Sequence, residues 1–139
     1  MIRPHPVVMP VPPTVYLEYY LMLVLFAVGW VSLGYWIYAD ATARGSSSAL
    51  FWAIGTVVFL PIGVYYLLFY RRSHERAVPQ TRRERIAEIL AVGGIVTTVA
   101  SAMLTPPDPL TQLQFMPVAF VVTVLVLFLF EYRIRASGS

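Results

Sequence analysis

Cysteine, lysine and asparagine are all absent from this sequence, and charge of either sign is scarce. Without cysteine there is no disulfide, no thiolate nucleophile and no cysteine metal site. Without asparagine there is no N-glycosylation acceptor. Without lysine, all ten basic residues are arginine. Charged residues make up 12% of the 139, where a soluble domain carries about 25%. Hydrophobic residues reach 58% and the mean hydropathy is +0.70. So few charges cannot clothe a compact domain in water, and lipid must be the solvent for much of the chain. A soluble enzyme, a secreted disulfide scaffold and a disordered tail are excluded.

What is present in quantity is long apolar runs. A bilayer core about 30 Å thick needs about 20 mostly apolar residues in a helix. Four stretches qualify: Tyr16–Tyr38, Ala49–Tyr70, Ile86–Leu104 and Leu113–Tyr132. The expected architecture is all-α, an integral membrane bundle of four transmembrane helices spread over residues 16–135. A proline-rich arm (residues 1–15, with Pro4, Pro6, Pro10, Pro12 and Pro13) precedes it and a flexible tail (residues 136–139) follows. The small residues around Ala39–Ala43 mimic a signal cleavage site, but the apolar stretch before them is far longer than an h-region.

The connections carry stop signals. Asp40 and Arg44 are four apart and would pair on a continuing helix, and Gly45 suits the left-handed position that ends one. Ser46, Ser47 and Ser48 offer N-caps for the second span. Thr81 and Glu84 form a capping box before the third. With four spans, Arg3, Arg71, Arg72, Arg76, Arg82, Arg83, Arg85, Arg133 and Arg135 share one face and Arg44 stands alone on the other. Positive residues stay cytoplasmic, which places both termini inside, on the cell membrane as a multi-pass protein. Tyr16, Tyr19, Tyr20, Tyr65, Tyr66, Tyr70 and Tyr132 then form the inner aromatic belt, and Tyr35, Trp36, Tyr38 and Trp52 the outer one.

Candidate functional groups are few. Gly93, Thr97 and Ser101 repeat at four-residue spacing, as do Gly94, Thr98 and Ala102 one position along. Small residues at this spacing let helices approach closely, and hydroxyls can bond across the contact. The alternative reading is a hydroxyl-lined path. Pro61, followed by Gly63, predicts a kink in the second span and frees the carbonyl of Val57. Glu18, Glu88 and Glu131 lie near the inner interface, with Arg85 and Arg135 as expected partners of the last two. Glu88 is the residue to test, because it leads into the small-residue face. The middle loop, with Arg71, Arg72, Arg76, Arg82, Arg83 and Arg85, is expected to be cytoplasmic and either to attract anionic headgroups or to dock an acidic protein partner. His5 and His74 fall in loops, so no haem ligand lies within a span. No catalytic set, cofactor site or metal spacing is found in the sequence, and the basic surface is too small for nucleic acid.

Asp40-Ala41, Arg44-Gly45, Phe51-Trp52-Ala53, Leu60-Pro61-Ile62-Gly63, Tyr66 and Arg71-Arg72 together resemble a two-span module. It recurs in small prokaryotic membrane proteins, especially those of halophilic archaea, and is similar to the paired N-terminal spans of phospholipase-D-type membrane proteins. The resemblance implies a membrane module. It carries no activity, because the His-Lys-Asp motif of that enzyme class is missing and this chain has no lysine. The expected function is non-catalytic, an accessory or scaffolding subunit whose partners are membrane lipids and other membrane subunits or further copies of itself. The alternatives are a small self-associating channel or carrier, and a membrane enzyme acting on lipid.

Overall fold

The computed structural model describes residues 2–138; Met1 of the arm and Ser139 of the tail lie outside them. The described residues form helices and no strand. Residues 2–12 are exposed and carry no regular structure, and Pro12 has the polyproline torsions φ −58°, ψ 143°. Helix α1 (Pro13–Ala43) opens on a proline in its first turn, where a missing N–H costs nothing. It ends before Gly45, whose φ of 77° is the left-handed stop. Helix α5 (Arg82–Leu104) starts on Thr81, whose hydroxyl accepts from the Glu84 N–H at 3.2 Å, and finishes before Pro106 and Pro107. Helix α6 (Pro109–Ser137) starts on Asp108, which accepts from the Leu110 N–H, and includes Ala136 and Ser137 of the expected tail. These three helices are long and apolar enough to cross a membrane. In α6 the internal Pro117 is buried.

The stretch Ala49–Tyr70 is not one continuous helix. It divides into α2 (Ala49–Val58), an extended residue at Phe59, α3 (Leu60–Tyr65), a π-helical segment (Tyr66–Tyr70) and a last turn, α4 (Arg71–Ser73). Pro61 and Gly63 mark a reversal of direction here, where the sequence predicts only a kink. Trp52 on the outgoing limb stacks against Tyr65 at 6.2 Å and packs against Tyr66 and Tyr70 at 5.3 and 5.2 Å. The two limbs are therefore side by side. Ten residues of α2 descend about 15 Å, half of a bilayer core.

Two details make the turn possible. Pro61 has no N–H for the Val57 carbonyl, and the Trp30 indole of α1 donates to that oxygen at 3.1 Å. The limbs also approach so closely at Gly63 that a Cβ there would overlap Thr56 Cγ2 and lie 2.9 Å from its hydroxyl. Backbone that leaves the helix at membrane depth needs such protein partners, because lipid offers none.

The fold-back settles which helix ends are neighbours. Arg44 Nη1 donates to the carbonyls of Arg71 and His74 at 3.1 and 2.6 Å, and the Ala77 N–H donates to the Ala43 carbonyl at 2.8 Å. The end of α1 and the start of the middle loop are thus in contact rather than on opposite faces. Arg85 reaches Glu131 at 3.6 Å, which places the start of α5 beside the end of α6. The described termini therefore lie at opposite ends of a three-helix bundle, where the sequence predicts a four-helix bundle with both on one face. The belt changes with it: Tyr65, Tyr66 and Tyr70 lie with Trp52, while Tyr16, Tyr19 and Tyr20 lie at the far end of α1.

Replacing Trp30 with Phe keeps a ring and removes the donor. It should lower the unfolding free energy by about 1–3 kcal/mol, read by chemical denaturation in mild detergent. Gly63→Ala should also destabilise, and Thr56→Ala in the same chain should recover part of the loss, since it removes both atoms that the new methyl meets most closely.

Candidate functional site

The densest constellation of ionisable side chains is built around Asp40, on the last turns of α1. Its carboxylate is 1% exposed. Arg44, one turn on, donates from Nε at 2.8 Å and from Nη2 at 3.2 Å. Arg76, from the middle loop, donates at 2.7 Å, and the Tyr66 hydroxyl, from the π-helical segment, at 2.7 Å. Arg71 stands 3.7 Å away with its guanidinium over the Trp36 ring, 5.6 Å from the centroid. A carboxylate near a helix C-terminus faces the negative end of the macrodipole. Desolvating it costs several kcal/mol more. Four charge-assisted hydrogen bonds offset both costs.

The network continues outward. Arg76 Nη2 donates to Glu84 at 2.6 Å, and Glu84 accepts from the Thr81 hydroxyl at 3.3 Å. Burial would lower the Arg76 pKa, but hydrogen bonds to Glu84 and Asp40 outweigh it and hold the guanidinium above its ordinary value. One side chain thus ties α1, the middle loop and α5 together. Chemically the arrangement is a clamp. The two Asp40 oxygens receive four donors, which fills the acceptor capacity of a carboxylate. None is left to take a proton from a substrate.

The residues singled out from the sequence are distributed differently. A Cβ on Gly93 would meet Val124 of α6 at 2.8 Å, and one on Gly94 would sit 3.8 Å from the Cα of Gly29 in α1. The Gly94 position also lies 3.7 Å from the Phe120 ring of α6, so the first row faces α6 and the second sits between α1 and α6. Thr98 donates to its own helix at the Gly94 carbonyl, and Ala102 is exposed. Thr97 Oγ1 and Ser101 Oγ are buried and find no partner among the described residues, as does Trp36 Nε1. Glu88 accepts from Gln80 at 2.6 Å rather than from Arg85, and Glu131 pairs with Arg85 rather than Arg135. Among the described residues no group of three His, Asp or Glu is arranged to hold a metal.

Beyond the hairpin tip, α1, α5 and α6 leave an apolar cavity of about 280 Å³. Met22, Phe26, Trp30, Leu60, Thr97, Thr98 and Phe120 are among its walls. Pro61 and Ser101 are not.

Sequence reasoning missed the hub. Asp40 was legible only as a partner of Arg44, while Tyr66, Arg76 and Trp30 carried no signal of their roles. The available clue was a carboxylate at the end of a span whose other charge, Glu18, lies at the opposite end, followed by a proline whose freed carbonyl would need a donor. In comparisons with known proteins, no family model, no curated protein and no solved structure matches this chain. Residues 38–72 form the end of α1 and the fold-back hairpin.

Asp40→Asn leaves Arg44 and Arg76 short of a buried countercharge and should cost about 3–5 kcal/mol of stability. Tyr66→Phe removes one bond to a charged acceptor and should cost about 1.5–3 kcal/mol. Thermal and denaturant unfolding of both variants, beside the parent protein, checks the order.

Proposed function

We propose that this chain is a multi-pass membrane protein with a non-catalytic role, an accessory or scaffolding subunit of a larger membrane assembly. The observation that carries this reading is the contrast between its two kinds of surface. The polar centre at Asp40 is saturated by its own side chains. Helix α6, by contrast, leaves most of its apolar length uncovered: only 6% of its most apolar window is buried within the chain. An apolar helix so thinly packed faces either lipid or another subunit.

The arrangement in the bilayer follows from charge. The end that holds the Asp40 clamp carries Arg44, Arg71, Arg72, Arg76, Arg82, Arg83, Arg85, Arg133 and Arg135; the other carries Arg3. Positive residues stay cytoplasmic, so the C-terminus and the middle loop face the cell interior and the N-terminal arm faces outward. Residues 49–73 form a re-entrant hairpin that enters and leaves from the inner face.

Extraction of the native membrane in mild detergent, followed by native mass measurement, tests the subunit role. Recovery with a second membrane polypeptide, or as a defined multimer, supports it; recovery as a lone monomer with a turnover of its own contradicts it. The lack of native cysteine makes the orientation equally accessible. A cysteine at His5 should react with an impermeant thiol reagent in intact cells, and one at Ser47 should not.

A further inference from the structure

The arginine end of the bundle holds more positive charge than its internal pairs absorb. Arg44 and Arg76 are held by Asp40 and Glu84, and Arg71 and Arg85 stand near Asp40 and Glu131. Arg72, Arg82, Arg83 and Arg133 are exposed, and no ion pair joins any of them to a carboxylate among the described residues. They sit on three elements: α4, the first turn of α5 and the last turns of α6. The Arg85–Glu131 contact sets the second and third of these side by side, so Arg82 and Arg133 stand at the same end of the bundle, with Arg133, two residues after Glu131, turned to a different side of α6. Exposed Tyr132 lies beside Arg133. Such a tyrosine fits the level of lipid headgroups.

We propose that these four arginines form a rim that binds anionic phospholipid headgroups. Guanidinium presents paired N–H donors that match phosphate oxygens, a geometry a lysine lacks. The cations are spread over the ends of the hairpin and of two membrane-crossing helices, level with the belt, rather than gathered on one projecting face. That placement suits a ring of lipids better than an acidic protein. The inference rests on the membrane reading above and adds the class of lipid and the residues that select it.

The test uses the isolated full-length chain in neutral detergent, so that its failure is separate from any failure to find a partner subunit. Thermal unfolding is followed while phosphatidylglycerol, phosphatidylcholine, inorganic phosphate or polyglutamate is added. Phosphatidylglycerol should raise the midpoint by about 4 °C or more, phosphatidylcholine by far less, and the difference should shrink as salt is raised. The variant R72Q/R82Q/R83Q/R133Q should unfold near the parent midpoint without lipid and lose most of the phosphatidylglycerol shift. The corresponding lysine variant should keep part of it. Equal shifts from the two lipids, an unchanged response in the glutamine variant, or an equal or larger shift from phosphate or polyglutamate would overturn the proposal.

Discussion

A single carboxylate removed from water organises this protein. Asp40 is an expensive group to bury at the end of an apolar helix. The chain meets that cost by bringing three segments to it: its own helix through Arg44, the returning limb of the hairpin through Tyr66, and the middle loop through Arg76. Once those bonds form, the direction of the chain between residues 44 and 76 is decided. A straight fourth crossing would carry Tyr66 and Arg76 towards or beyond the opposite face, and Asp40 would be left with Arg44 alone.

The hairpin tip faces the complementary difficulty. There the backbone leaves helical geometry in a medium that cannot hydrogen-bond it. Trp30 supplies the one donor that Pro61 withholds, and it does so at the right depth. It lies thirteen residues before Ala43, about 20 Å along α1, close to the reach of α2. The polar clamp at the rim and the indole at mid-depth thus hold the two ends of the same hairpin. The space beyond the tip is left to the apolar cavity between α1, α5 and α6.

Much of this was legible in the residues. The three helices long and apolar enough to cross a membrane, the Thr81–Glu84 box, the Gly45 stop and the Asp40–Arg44 pair all rest on local rules of length and spacing, and the structure has each of them. The hairpin was hidden for two physical reasons. A stretch of 22 apolar residues satisfies the length of a crossing helix whether or not it is broken, and the donor that stabilises the break is 27 residues away. The arginine count could not help. Four crossings set Arg44 apart from the other nine, and three crossings set Arg3 apart instead, so the same bias fits both topologies. The alternative partners of Glu88 and Glu131 were hidden in the same way, because Gln80 and Arg85 reach them across loops and helices rather than along one.

The central claim is that residues 49–73 return to the face they left. Spin labels on cysteines at Ser47 and Ser73, in a chain reconstituted into nanodiscs, measure this directly by dipolar spectroscopy. A separation below about 20 Å is predicted; one of about 30 Å or more, the thickness of a bilayer core, would mean that the segment crosses.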